Sequence, residues 1–208
     1  MRRWLQYGGF AAGIVLIAFG VVAIFMGVNG RSTVHDNLSQ EKIVGSADMT
    51  PAGIAAEAKA AGLKNVSFPT CSVAGKTVAS GTDARCFASY MRIHGLEASG
   101  GLTYSQMPRY ASADGKGTNV LAAATKGSGG QPLDNPARTV WISETAFSTA
   151  LNVSYMADQL ALFGIVVGIA LLLSGIGFIV LAAYGVMRVA TLTQPAPTPV
   201  PKPAIAAV

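Results

Sequence analysis

The sequence predicts a mainly α-helical membrane protein: two transmembrane helices form a long hairpin, and a small α(+β) extracytoplasmic domain is inserted between them. Three observations carry this. Phe10 to Val28 and Leu160 to Met187 are long apolar runs without a charged residue. All ten acidic residues fall between Asp36 and Asp158. The two cysteines, Cys71 and Cys86, also lie between the apolar runs.

The first run is long enough to cross a hydrocarbon layer of about 30 Å as a helix. Trp4 and Tyr7 precede it, where an interfacial aromatic belt belongs. A cleaved signal peptide is the competing assignment. The run is too long for a signal core and no A-x-A site follows, so an uncleaved anchor is expected. The second run is long enough to span with some tilt, with Tyr184 near its end and Arg188 closing it.

Orientation follows from the basic residues next to the spans. Arg2, Arg3 and Arg188 mark the outer ends of the hairpin as cytoplasmic. Arg31 is contrary but opens a long loop, and long loops translocate regardless of charge. The expected location is the cell membrane, with both termini cytoplasmic and the central domain extracytoplasmic. Residues 1–30 then hold the cytoplasmic end and first span. Residues 31–142 form the external domain, 143–188 a juxtamembrane helix plus the second span, and 189–208 a proline-rich disordered tail.

The net charge of +5 does not indicate nucleic acid. Ten of the fifteen basic residues share the segment that holds the ten acids, and no basic cluster with interleaved aromatics occurs. In an oxidising compartment the two cysteines are expected to pair. Their spacing does not fit C-x-x-C, and no partners complete a zinc site.

Within the external segment, the first helix continues to about Gln40 unless Asn29-Gly30 breaks it. Lys42 to Gly45 reads as a short strand and Thr70 to Ala79 as a small hairpin. Thr50-Pro51 caps a helix that stops at Gly62. Thr82-Asp83 caps another, with Phe87, Tyr90, Met91 and His94 on one face and Gly100-Gly101 at its end. Residues 111–136 read as loop. Ser143 is the candidate cap of one continuous helix of about 45 residues to Met187, with Phe147, Leu151 and Tyr155 in a narrow stripe, and its external third is expected to pack on the continuation of the first helix.

Small residues mark contact in the membrane: Gly9-x-x-x-Gly13 opens the first span and Gly164-x-x-x-Gly168 the second. They fit association with a partner or with a second copy. They also fit packing of the two spans on each other, or the plain commonness of glycine in membrane helices.

Chemistry is sparse. There is no G-x-S-x-G elbow, and Ala98-Ser99-Gly100-Gly101 lacks the lysine and setting of a phosphate loop, so a turn is expected. His35, His94 and Glu97 match no recognised metal-ligand spacing. Neither a metal nor a cofactor is expected. Neither span holds a charge, which argues against an ion path.

The segment His94-Gly-Leu-Glu97-Ala-Ser-Gly100-Gly101-Leu-Thr-Tyr104 resembles one found in a group of actinobacterial two-span membrane proteins, with Arg109 where members carry a basic residue. Some members bear the label "aromatic ring-opening dioxygenase LigA". That label implies an iron-dependent oxygenase, and the two-histidine-plus-carboxylate set this chemistry needs is not at a plausible spacing here. The resemblance implies a host and a topology, and it singles out His94, Glu97, Gly100, Gly101 and Tyr104.

These features predict a non-enzymatic membrane interaction protein, an accessory or assembly subunit of a larger envelope or respiratory complex. Its partners would be lipid and other membrane subunits or a second copy. The alternative is an external ligand-binding or sensing module using His94, Glu97 and Tyr104.

Overall fold

The structure is a computed structural model that describes residues 2–192, with side chains described at Trp4 and from Gln6 to Tyr184. Four α-helices occur in the order α1 (Arg2–Gln40), α2 (Pro51–Ala60), α3 (Gly81–Ala98) and α4 (Pro136–Leu192), with one 3-10 turn at Leu121–Ala123. Parts of α1 and α4 are long and apolar enough to cross a membrane. The proline-rich segment from Gln194 lies outside the described residues.

The chain divides into two compact units. One combines α1 up to Phe25 with α4 from Ile165 onward; the other is Met26–Gly164.

In the first unit, glycine lets two helix backbones touch. A Cβ on Gly13 would lie 2.8 Å from the Gly175 carbonyl oxygen and 2.6 Å from Ile179 Cγ1. At Gly20 it would lie 2.7 Å from the Gly168 oxygen, and at Gly168 it would lie 2.7 Å from the Gly20 oxygen. At Gly9 it would meet Ala182 Cβ at 3.2 Å. Of the readings of these glycines, intramolecular packing accounts for Gly9, Gly13 and Gly168. Gly164 is half-buried and falls in the other unit. Larger apolar residues such as Ile14, Phe19, Val22, Leu173 and Leu181 face outward. Without a hydrophobic drive between helices in lipid, close backbone approach is what holds such a pair.

The second unit has a core of Leu38 from α1, Ile54 from α2, Phe87, Tyr90 and Ile93 from α3, and Leu151 from α4, closed by Met49, Val73 and Val78. Full burial of a side chain such as Ile54 or Ile93 contributes about 1.5–3 kcal/mol. Asn29-Gly30 does not interrupt α1. Thr50 caps α2 by accepting a hydrogen bond from the Gly53 N–H, and Pro51 takes the first helical position. The cap of α3 is Ser80 rather than Thr82: its Oγ accepts from the Asp83 N–H and donates to Asp83 Oδ2. The reciprocal arrangement is what selects Ser80.

The disulfide Cys71–Cys86 forms and fastens the segment before α3 to its second turn. Tyr90, fully buried, donates its hydroxyl to the Cys71 carbonyl at 2.6 Å. The expected strand and hairpin are not strands. Among the described residues only isolated bridges occur, including Val44 to Thr77 and Gly45 to Ala74. A Cβ at Gly45 would fall 1.9 Å from the Val73 carbonyl oxygen, so a close crossing replaces a regular ladder.

α4 begins at Pro136, seven residues before the expected cap at Ser143. Asn135 Oδ1 accepts from the Ala137 N–H, and its amide donates to the Pro108 carbonyl. Ser143 therefore sits two turns inside the helix. The Phe147–Leu151–Tyr155 stripe meets α3. Phe147 stacks edge-on against Phe87 at 6.0 Å, Leu151 enters the core, and Arg85 lies 4.8 Å over the Tyr155 ring. Leu151 shares that core with Leu38 of α1, and one turn further on Arg31 Nε of α1 donates to buried Asp158 at 2.9 Å.

Candidate functional site

The segment singled out by sequence divides between two places in the unit Met26–Gly164. His94 and Glu97 stand on the last turns of α3. Gly100 and Gly101 end that helix. The Gly101 N–H reaches the Leu96 carbonyl at 2.7 Å and the Gly100 N–H reaches Glu97 at 3.1 Å, with both glycines at positive φ. This is the Schellman closure, which needs a left-handed residue at Gly100. The run is a turn, as expected, and its N–H groups are used inside the chain. Tyr104 lies beyond it, half-exposed, under the Arg138 guanidinium at 4.0 Å.

His94 is surrounded by acids. Its Nε2 lies 3.0 Å from Asp48 Oδ2, and its Nδ1 lies 3.8 Å from Glu57 Oε2 and 3.8 Å from Glu97 Oε2. Asp48 comes from the turn before α2 and Glu57 from α2 itself. The sequence pointed only to Glu97 among these acids. His35 takes no part; its Nδ1 bonds the Ala79 carbonyl at 2.8 Å. Asp48 is held below the ordinary carboxylate range. The Ser46 hydroxyl is the largest cause, burial opposes it, and a backbone N–H and His94 add to it.

Beside this cluster Glu144 is buried against Gly95, where a Cβ would come within 2.9 Å of the Glu144 side chain. It accepts from Ser148 at 2.7 Å and pairs with Arg92 at 3.6 Å, and Arg92 stacks on Trp141 at 4.1 Å. With α4 starting at Pro136, Glu144 lies two turns inside the helix. It anchors α4 to α3 as a buried, paired carboxylate.

A recess of about 360 Å³ is lined by Tyr104, Arg109, Asp134, Asn135 and Arg138 at the start of α4. Arg138 Nε is shielded from solvent and has no hydrogen-bond partner. A buried, unsatisfied donor beside a second arginine is an anion-accepting arrangement.

The third feature is a surface. Ile142, Ala146, Thr149, Val153, Met156, Leu160 and Phe163 follow one another along α4 at alternating steps of four and three. All seven are exposed, and Met156 and Leu160 are each 68% accessible. Steps of four and three are the spacing of a helix–helix seam. The residues beside it (Ser143, Thr145, Ala150, Asn152, Ala157 and Gln159) are uncharged. Both acids on this part of α4, Glu144 and Asp158, are turned into the protein instead.

Compared with protein-family models, with curated proteins and with solved structures, the chain matches none.

Proposed function

We propose that this chain is a non-enzymatic membrane interaction protein, an accessory or assembly subunit that docks onto a larger envelope or respiratory membrane complex. The observation that carries this reading is the exposed heptad seam of α4 from Ile142 to Phe163. A helix in water places such a stripe against its own core. Here the core side of α4 is already used by Phe147, Leu151 and Tyr155. The seam is left for another apolar helix, and its uncharged flanks suit a site at a membrane surface.

The placement proposed with it has both termini in the cytoplasm and residues 31–142 outside. Arg2, Arg3 and Arg188 support that orientation. The Cys71–Cys86 disulfide supports an oxidising compartment for the central segment. Resemblance to the actinobacterial two-span group supports the same topology.

The test is a native pull-down of tagged chain after mild solubilisation, with Met156→Glu and Val153→Glu as seam variants. Both positions are solvent-exposed, so folding is unaffected while docking is lost. A stoichiometric membrane complex captured by wild type and absent with both variants is the expected result. A solitary wild-type protein, or a complex that survives both variants, overturns the proposal.

A second reading, an external ligand-binding module, is favoured by one observation: the buried unpartnered Nε of Arg138 in the recess with Arg109 and Tyr104. A carboxylate or phosphate ligand suits two guanidiniums. A thermal shift on citrate or phosphate, absent in Arg138→Gln, supports it; no shift across a panel of small anions counts against it.

A further inference from the structure

We propose that Asp48, Glu57 and His94 form a binding site for a divalent first-row transition cation such as Mn²⁺, Co²⁺ or Zn²⁺, with Glu97 at its rim. The site goes beyond the docking role and stands independently of the α4 seam.

One ligand atom from each of the three residues lies within 4.8 Å of the others. A point equidistant from the corners of a triangle of that size is about 2.8 Å from each. Metal–nitrogen and metal–oxygen bonds of about 2.0–2.2 Å are then reached by side-chain adjustments of under about 1 Å. Glu57 and Glu97 are the more exposed members and have the freedom to adjust.

Charge argues the same way. Three carboxylates surround one imidazole, and among the described residues no lysine or arginine nitrogen lies within 4.0 Å of any of the three. A protonated imidazole offsets only one of three negative charges. In addition, Asp48 Oδ2 is closed to solvent and lies 3.0 Å from His94 Nε2, a separation that two ligand atoms of one cation can keep.

The donor set selects the ion. One imidazole nitrogen with carboxylate oxygens suits borderline transition cations. Calcium and magnesium prefer all-oxygen sites. Both cysteines are tied in the disulfide, so no thiolate takes part.

The experiment uses the full chain in detergent, freed of metal with a chelator and titrated with Co²⁺. Visible absorption reads nitrogen/oxygen coordination, and thermal unfolding in Mn²⁺ or Zn²⁺ gives an independent readout. The expected result is one saturable equivalent, resistant to excess Mg²⁺ and Ca²⁺, weakened by more than about tenfold in His94→Gln and in Asp48→Asn. Glu57→Gln, at a more exposed position, gives the same loss without risk to folding. Glu41→Gln, which removes an acid outside the cluster, leaves binding unchanged. Absence of saturation, binding unaltered in His94→Gln and Glu57→Gln, or equal competition by Mg²⁺ overturns the site. In those cases His94 is simply an imidazole held between carboxylates.

Discussion

Replacing Gly168 by alanine tests the contact between α1 and α4 directly. The added Cβ would lie 2.7 Å from the Gly20 carbonyl oxygen, 2.7 Å from Ile24 Cγ1 and 2.9 Å from the Ile24 nitrogen. Ordinary contact begins near 3.4 Å, so the helices must separate by about 0.7 Å. Two of the three atoms are backbone, and no rotamer change relieves them. A gap of that size forfeits between a quarter and a half of each dispersion contact along the interface. The close approaches at Gly13–Gly175 and Gly9–Ala182 stretch with it. The expected cost is about 1–3 kcal/mol, the range for overpacking a tight interface. Gly177→Ala is the matched control, because it lies on the same helix with open space around its Cβ position. Gly9 and Ala182 replaced together by cysteine report the separation, since a Cβ placed on Gly9 would lie 3.2 Å from that of Ala182. Oxidative cross-linking of that pair, followed through an SDS titration in mixed micelles, is expected to fail at lower SDS with Gly168→Ala than with Gly177→Ala. Identical midpoints for the two variants would refute the backbone contact as the source of stability.

Three further outcomes follow from the unit Met26–Gly164. Replacing both Cys71 and Cys86 by serine opens a loop of sequence separation 15 and is expected to cost about 3 kcal/mol in urea unfolding. Tyr90→Phe removes the hydroxyl that donates to the Cys71 carbonyl, and because Cys71 is exposed to water a loss of about 0.5–1.5 kcal/mol is expected in the same assay. The Tyr90 hydroxyl is raised above 10.0, first by burial and then by the charge of Asp48. A raised folded-state pKa means stability is intact below about pH 10 and falls as pH climbs through the folded value. Urea midpoints measured from pH 8 to 12 are expected to fall more steeply for wild type than for Tyr90→Phe, and equal slopes would remove Tyr90 as the cause.

Much of the helical layout was legible. The uncharged runs announced α1 and α4, and Thr50-Pro51 announced α2, because caps and apolar length are local properties. Two boundaries were misplaced for local reasons as well. Asn135-Pro136 is a cap followed by a first-turn proline, but it ends a Gly- and Pro-rich stretch whose composition reads as loop. Thr82-Asp83 carries the cap signal, yet Asp83 serves as the hydrogen-bond partner of Ser80, two residues before Thr82. The strands failed because β-branched composition at Ile43-Val44 says nothing about a pairing partner, and Val44 and Gly45 find only single bridges. The surroundings of His94 were legible only in part. Glu97 is three residues away, whereas Asp48 and Glu57 are brought in by the docking of α2 on α3. The seam from Ile142 to Phe163 was open to inspection, since its steps of four and three are in the sequence. Periodicity alone does not say which of two neighbouring stripes meets the core, and Phe147–Leu151–Tyr155 is the one that does.

The Cys71–Cys86 bond has a use apart from rigidity. Two thiols 15 residues apart, with no other cysteine in the chain, give each molecule a binary chemical mark. A chain threaded with its central segment into an oxidising space acquires the bond; one threaded the other way keeps two thiols for maleimide. Counting free thiols in intact membranes therefore reads the direction of insertion molecule by molecule, without a reporter fusion that would itself bias the topology.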